Sequence, residues 1–446
     1  MTERVFPVPT DDLVSIPAAV HEEVMDLAVI GMGMAGLAAG VFAANRGMKT
    51  ACIGSTGGLA YSTGYLDILG SAQSACGPYT TDPGTAFAEL CRDDSNHPYA
   101  RASWQEVGAV MTEFMDFLAE AGLPYIATGD NLMALSPIGT VKATYAVPAT
   151  MVEGVNALRD RAPCLLVDFI GLKAFSAKGI AAALGEQWPD ITPLTLAFPD
   201  LQWAGELYPE AMALALEVPA TREALAASIL PHIGNARYVG LPAILGIYHS
   251  AAAQEHLSKL LGVPVFEIPT LPPGLPGIRL RENLDEAMRG RGVNLFAQRY
   301  VFGVRKADGL FLVDIGETGP ELTLRAKHVV LATGRFLSGG LVANRDTGIS
   351  EPLFGLPVAA PSSREDWHRE DLFDPAGHPV NRAGIRVDGE FRPLNGEGAV
   401  VDPALYAVGS IVAGQDWIRE KSGAGISLVS AWKAVNAMTG RTREAV

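Results

Sequence analysis

Short, wholly apolar runs that end in glycine alternate along this chain with stretches of helical spacing. The first run, Leu27 to Ile30, stops at Gly31 and is followed by small, helix-forming residues up to Gly47. Such a run predicts a strand buried on both faces, and the residues after it a helix. A second strand is expected over Lys49–Ile53. Trp104 to Ala121 and Thr221 to Leu230 have helical periodicity. Asn294 to Val313 reads as a hairpin turning at Ala307-Asp308-Gly309. Two more buried strands ending in glycine follow, His328 to Gly334 and Leu405 to Gly409, and Gly423 opens a long apolar helix through Leu428, Ala431 and Ala434. Ile268 to Leu284 places four prolines and two glycines before a helix expected to begin near Leu280.

This alternation predicts an α/β protein with a Rossmann-like, doubly wound domain built from residues 26–75 and 276–446. Residues 76–275 change composition, carry no further glycine fingerprint, and are expected to form an inserted substrate or cap domain. Residues 1–25 read as an N-terminal extension. At 446 residues the chain is long enough for two or three domains.

Composition narrows the partners. The formal charge of −15 and pI near 5.0 argue against a nucleic-acid or anionic-lipid surface, both of which need clustered Lys and Arg. An anionic substrate must then be met locally by a few placed cations. Cys52, Cys76, Cys91 and Cys164 are widely spaced with no CxxC pair, which fits ordinary buried thiols of a cytoplasmic protein; no metal site is expected. Asp11, Asp12, Glu22 and Glu23 make the N-terminus unlike a secretion signal. The apolar run Ala28 to Ala44 is interrupted by glycines and reads as strand, turn and helix rather than a membrane span.

The turn GMGMAG carries the first candidate chemistry. Gly31 permits the tight turn, Gly33 lets backbone approach a phosphate, and Gly36 lets the helix pack on its strand, while the amides of Met34, Ala35 and Gly36 open the helix. Where dinucleotide folds usually end the second strand in an acid that holds a ribose, this chain has Gly54, then Ser55 and Thr56. Gly57, Gly58, Ser62, Thr63 and Gly64 form a second glycine and hydroxyl cluster, suited to a backbone lying against a flat ring or simply to a surface loop. It holds no histidine for covalent attachment. Thr333-Gly334, Gly409-Ser410, and Gly423, Gly425, Ile426 and Ser427 at the last helix start are further backbone surfaces for a cofactor.

Candidates for substrate work are fewer. His97, before Pro98, is either a general acid or base or a turn residue. Lys142, among Thr140, Thr144 and Tyr145, is either an anion contact or a solvated strand lysine. Arg279 and Arg281 lie two apart near a helix start, so one faces inward; Arg279 is the choice for an anion, with Arg335 as a further cation.

These pieces, in this order, resemble flavoproteins of the two-dinucleotide-binding-domain group that includes fumarate reductase flavoprotein subunits. More closely, YSTGYLDIL, HPY, PTLPPGLPGIRL, FLSGGLVANRDTGISEPLFGL and YAVGSIVAG resemble the B subunit of anaerobic glycerol-3-phosphate dehydrogenase, over Asp26 to Gly440. The resemblance implies a flavin-binding domain carrying non-covalent FMN, with FAD as the alternative. It also implies an FAD-containing A subunit and an iron–sulfur C subunit that anchors the pair to the inner face of the cell membrane. The implied reaction oxidises sn-glycerol 3-phosphate to dihydroxyacetone phosphate and sends electrons to quinone. Arg279, Lys142 and Arg335 would hold the substrate phosphate and His97 is nominated as base. The missing acid at Gly54 favours FMN, which has no adenosine ribose; the GxGxxG turn, a pyrophosphate device, favours FAD. Three other readings stay open: an electron relay or scaffold, a stand-alone FAD-dependent dehydrogenase or reductase, and an NAD-binding module.

Overall fold

The computed structural model describes residues 19–55, 58–71, 79–201 and 205–440. Its main sheet has seven strands. Four lie side by side in parallel: Leu322–Leu331, Ala19–Ile30, Thr50–Gly54 and Asn294–Ala297. The hairpin Tyr300–Ala307 and Leu310–Gly316 continues the sheet in antiparallel fashion beyond Leu322–Leu331, and Leu405–Ala407 pairs in parallel with the end of that strand. The hairpin turns through Asp308 and Gly309, both at positive φ, as expected.

The first strand starts earlier than its apolar run. Ala19 and Val20 pair with Leu322 and Thr323, a bulge follows, and pairing resumes at Val24. Glu22 and Glu23 are exposed on this overhang, so alternation conceals the strand from hydropathy alone. Residues 19–25 thus belong to the sheet rather than to an extension; the rest of the expected extension lies outside the described residues.

Among the described residues two large apolar cores form, with two small clusters beside them. The first joins Leu27 to Ile30, the helix Met34–Asn45, the closing helix Gly423–Met438 and the helix Leu275–Gly290 through Leu280, Leu284 and Met288. It also takes in the helices Pro83–Asp93 and Trp104–Glu120, through Phe87, Val107, Phe114 and Leu118, although both fall in the segment expected to be inserted. Glu113 of the second of these accepts from Arg46 at 2.7 Å and from the Trp432 indole at 2.8 Å, fastening it across the first and last helices.

The second core runs from Leu135 to Ile268 and belongs to a smaller, all-parallel sheet. Its order is Ile191–Leu196, Cys164–Phe169, Tyr238–Pro242 and Val265–Ile268, with the first strand in sequence flanked by the second and third. This is a doubly wound arrangement, whose order reverses beside Cys164–Phe169. An antiparallel ribbon, Tyr125–Leu135 with Val141–Pro148, connects it to the larger body.

Arg279 joins the two cores. It lies on Leu275–Gly290, which begins at Leu275, five residues before the expected start, after Gly274 and with Pro276 in its first turn. Its guanidinium grips both oxygens of Glu267, at 2.8 and 3.1 Å, and donates to the Gly246 carbonyl at 2.7 Å. Arg279 is 1% exposed and Glu267 2%. Burial pushes the Glu267 carboxyl upward, but the Arg279 charge and donations from Arg279, Thr150 and the Leu245 amide outweigh it and hold it below its usual 4.5.

Glu267→Gln is expected to strand a buried cation and lower the unfolding free energy by roughly 3–5 kcal/mol. The double replacement by methionine should cost less than the single. For a carboxyl held low in the folded state, the stabilisation is present above the ordinary value of 4.5 and is lost as pH falls through the folded value. Guanidinium unfolding at pH 7 and in acid measures both.

Candidate functional site

The parallel register sets the site. Ile30 pairs with Leu331 and with Ile53, and Leu331 pairs with Ala407, so these strands end level at one edge of the sheet. The turns that follow therefore meet. Gly31, at φ +110°, lies so close to the Ala332 carbonyl that a Cβ there would run into it, and a Cβ at Gly36 would run into the Gly31 carbonyl. Gly409, at φ +75°, presses against Ala35 and stands near the Ser427 hydroxyl. Its amide donates to Ser430 Oγ at 2.9 Å. The expected residues of the first, third and fourth glycine turns are thus brought together.

The opening at this junction fits an anion. A Cβ at Gly33 would meet nothing within 4 Å, in contrast to the crowding at Gly31 and Gly36. Gly33 caps the helix Met34–Asn45 without a side-chain bond, and no acidic residue stands in its first turn. Amides at a helix start with no acid beside them attract phosphate. Thr333 Oγ1, buried nearby, has no hydrogen-bond partner. Gly54, at φ +148°, has its would-be Cβ 3.0 Å from the Met32 amide, which explains the absent acid: a side chain there would crowd the phosphate turn.

The other glycine cluster divides. Ser55 is exposed beyond Gly54, and Gly58 caps the single turn Leu59–Tyr61. Ser62 Oγ accepts from the Gly64 amide at 3.4 Å, and Gly64 packs on Pro276 while its carbonyl accepts from Tyr125 at 2.7 Å. The Ser62–Gly64 end is therefore seated on the start of Leu275–Gly290. Thr63 lies between these contacts; Gly57 and Thr56 lie outside the described residues.

The closing helix begins beneath the segment Tyr65–Gly70. The Gly425 amide donates to the Asp67 carbonyl at 2.7 Å, and a side chain on Gly425 would collide with the Tyr99 hydroxyl, itself bonded to the Ile68 carbonyl at 2.6 Å. Ile426 is buried, with its amide on the Ser422 carbonyl at 2.9 Å.

Three of the four substrate nominees are engaged elsewhere. His97 is 0% exposed; its Nδ1 accepts from the Tyr99 amide at 3.2 Å, which puts the proton on Nε2, facing Glu420 at 3.2 Å. Glu420 also accepts from Ser422 Oγ at 2.9 Å and the Asp416 amide at 2.9 Å. Burial raises the Glu420 carboxyl, but His97 and these donors bring it below its usual value. His97 thus braces the start of the closing helix and has no free ring nitrogen for a substrate. Arg279 is closed in the ion pair with Glu267. Arg335 donates to the carbonyls of Ser410 at 2.5 Å, Gln415 at 3.0 Å and Asn381, and burial pushes it down to about 10. It clamps the loop after Gly409 and holds Ser410 there.

Lys142 alone stays near open surface, 2.6 Å from Asp67 Oδ2. Two cations near the junction lie outside the expected set: Lys421, and Arg281, over which Arg279 is preferred in the sequence; both arginines are buried, where only one is expected to face inward. Arg281, 7% exposed, donates to the Met32 carbonyl at 3.3 Å and to Asp285 at 2.7 Å, so it is the arginine beside the glycine turn. Lys421 stands against Gly70, immediately before Ser422; its place ahead of SGAG was the available signal.

Among the described residues no group of three or more His, Cys, Asp or Glu is placed to hold a metal, and no helix is long and apolar enough to cross a membrane. Burial pushes the Cys52 thiol up to about 12 and Cys91 to about 11. Cys76 lies outside the described residues. A surface hollow of about 520 Å³ between Glu153, Gln254, Lys259 and Val265 contains none of the glycine turns.

A family model described as "FAD binding domain" matches residues 26–426. The chain is 30% identical over 416 residues to a Yersinia pestis bv. Antiqua (strain Antiqua) protein named as the B subunit of anaerobic glycerol-3-phosphate dehydrogenase, covering 91% of this chain and 96% of that one. The chain belongs to this B-subunit family. A Halobacterium salinarum (strain ATCC 29341 / DSM 671 / R1) relative, named as the probable B subunit of the same enzyme, is 32% identical over 433 residues, 93% of this chain and 97% of the relative. Solved structures with a similar course include 3-ketosteroid delta1-dehydrogenase from Sterolibacterium denitrificans (TM-score 0.44, 10% identity, covering 94% of this chain and 99% of that one). A flavocytochrome c3 fumarate reductase is another (TM-score 0.43, 11% identity, 95% and 79%). As a member of the B-subunit family with an FAD-binding domain, the chain is a flavoprotein oxidoreductase, and the expected α/β flavin-binding fold is the one observed.

The glycine turns make a paired prediction. Gly33→Ala should fold as the parent does yet weaken flavin binding about tenfold, because its methyl enters the space open to phosphate. Gly36→Val should fail at packing, against the Gly31 carbonyl. Thermal unfolding beside flavin titration separates the two.

Proposed function

We propose that the chain is the B subunit of an anaerobic glycerol-3-phosphate dehydrogenase, oxidising sn-glycerol 3-phosphate to dihydroxyacetone phosphate on a non-covalent flavin. The observation that carries this is the meeting of the Gly31, Ala332–Gly334 and Gly409 turns over an open helix start in a member of the B-subunit family. When bound, the flavin would accept the hydride from C2 of the substrate, and the hydroxyl proton would pass to water. The amides of Met34, Ala35 and Gly36 would hold its phosphate. The amides of Gly423 and Ala424, which have no partner among the described residues, together with the dipole of the 16-residue closing helix, favour negative charge at the other end of the cofactor. Asp67, Tyr99, Glu420 and His97 fix where that helix begins.

FMN is favoured over FAD on this reading, because Gly54 leaves no side chain for an adenosine ribose. The protein works beside an FAD-containing A subunit and an iron–sulfur C subunit, at the inner face of the membrane, with quinone receiving the electrons. Release of the cofactor by denaturation, followed by chromatography, is expected to yield FMN; FAD would reverse the assignment.

The engagement of His97, Arg279 and Arg335 in structural contacts favours a second reading, an electron relay whose substrate is oxidised on the partner. Anaerobic addition of glycerol 3-phosphate to the purified protein is expected to bleach its flavin absorbance. Flavin that stays oxidised would select the relay.

A further inference from the structure

Lys421 is an unusual lysine. It ends the short helix Trp417–Glu420 in a left-handed conformation, φ +53°, and leads straight into Ser422 and the closing helix. Its stem lies against Gly70, where a Cβ would come 2.8 Å from the Lys421 Cβ and 3.1 Å from the Ala143 carbonyl. The side chain is half-buried, yet its ammonium makes no hydrogen bond and no ion pair with any described residue. The adjoining strand brings Lys142 to the same place, with its Nζ on Asp67 Oδ2 at 2.6 Å and 5.8 Å from the centre of the Tyr65 ring. Asp67 Oδ1 is buried without a partner.

Charge accounting at this spot leaves an excess. Two ammonium groups flank one carboxylate, and that carboxylate is bonded to only one of them. The other nearby acids are committed: Asp416 receives the Asn381 amide group at 3.1 Å and faces the Arg419 guanidinium at 3.9 Å, and Glu420 is held by His97 and Ser422. Burial, then the like charge of Lys142, keeps the Lys421 ammonium below the ordinary lysine value, while Asp67 and Asp416 act in the opposite sense. A half-desolvated cation with no counter-ion gains most from an anion that replaces the lost water. In a chain of net charge −15 such an excess is a local feature, not a general one.

We propose that Lys421 and Lys142 form a phosphate-monoester site, bridging the start of the closing helix and the ribbon strand Val141–Pro148, and that Asp67 aligns Lys142 within it. The proposal deepens the dehydrogenase reading, since it supplies the substrate phosphate with the cations that Arg279 and Arg335 do not provide. Lys421 serves as a binding residue here. Asp67 is a positioning residue that also competes with the incoming anion.

Titration calorimetry of the purified, flavin-loaded protein with inorganic phosphate tests it. Phosphate should bind the parent, and Lys421→Met and Lys142→Met should each raise Kd about tenfold. Lys421→Arg should retain binding and Asp67→Asn should tighten it. Flavin content and thermal unfolding report folding, and the arginine variant keeps the test decisive if Lys421→Met is damaged. Phosphate that fails to bind the parent, or that binds Lys421→Met unchanged, overturns the proposal. Anaerobic bleaching by glycerol 3-phosphate is scored separately: phosphate bound through these lysines with no bleaching leaves the site intact and removes the dehydrogenase reading.

Discussion

The approach of Gly31 to the Ala332 carbonyl is the constraint on which the cofactor region depends. It exists because two parallel strands end level, with Ile30 opposite Leu331, and each then turns sharply at its next residues. Leu405–Ala407 extends the same edge, so Gly409 reaches Ala35. A side chain at Gly31 or Gly36 would push the turns apart, whereas Gly33 is left with space. The crowding and the opening are two results of one register. Backbone amides, rather than side chains, form this wall, and that suits a ligand recognised by charge and by a flat face.

Buried cations in this molecule are satisfied in different ways. Arg279 has a carboxylate on both prongs, Arg335 has only carbonyl oxygens, and Arg281 divides itself between a carbonyl and Asp285. Each solution removes a guanidinium from the pool that a substrate anion can use. Counting basic residues near a glycine turn therefore overstates the anion-binding capacity of the site. What distinguishes Lys421 is a missing partner, and a partner is a tertiary property.

That difference also explains what was legible in the sequence. The Gly31, Gly33 and Gly36 turn, the Thr333-Gly334 and Gly409 turns and the helix at Gly423 are local devices, written in consecutive residues, and they appear in the fold where the chain predicts them. The roles expected of His97 and Arg279 depend on which side chain lies opposite, and Glu420 and Glu267 are far away along the chain or across a core. The smaller parallel sheet is not legible either. Cys164–Phe169 is buried throughout, but Ile191–Leu196 has a proline and two exposed threonines at the sheet edge. The start of the first strand at Ala19 is hidden by Glu22 and Glu23 for the same reason: an edge or overhang does not need an apolar pattern.

The buried pair between Arg279 and Glu267 has a mechanical meaning. The smaller α/β unit enters through the Tyr125–Pro148 ribbon and leaves through Ile268 to Gly274, and the pair pins it close to that exit, with Thr150 and the Leu245 amide completing the grip. Two chain crossings, the desolvated ion pair, and Ala213 and Ile247 packed on Leu275 together hold the unit to the helix Leu275–Gly290. Ile191–Leu196, the edge strand farthest from Val265–Ile268 in the sheet order, lies three strands away from this anchor.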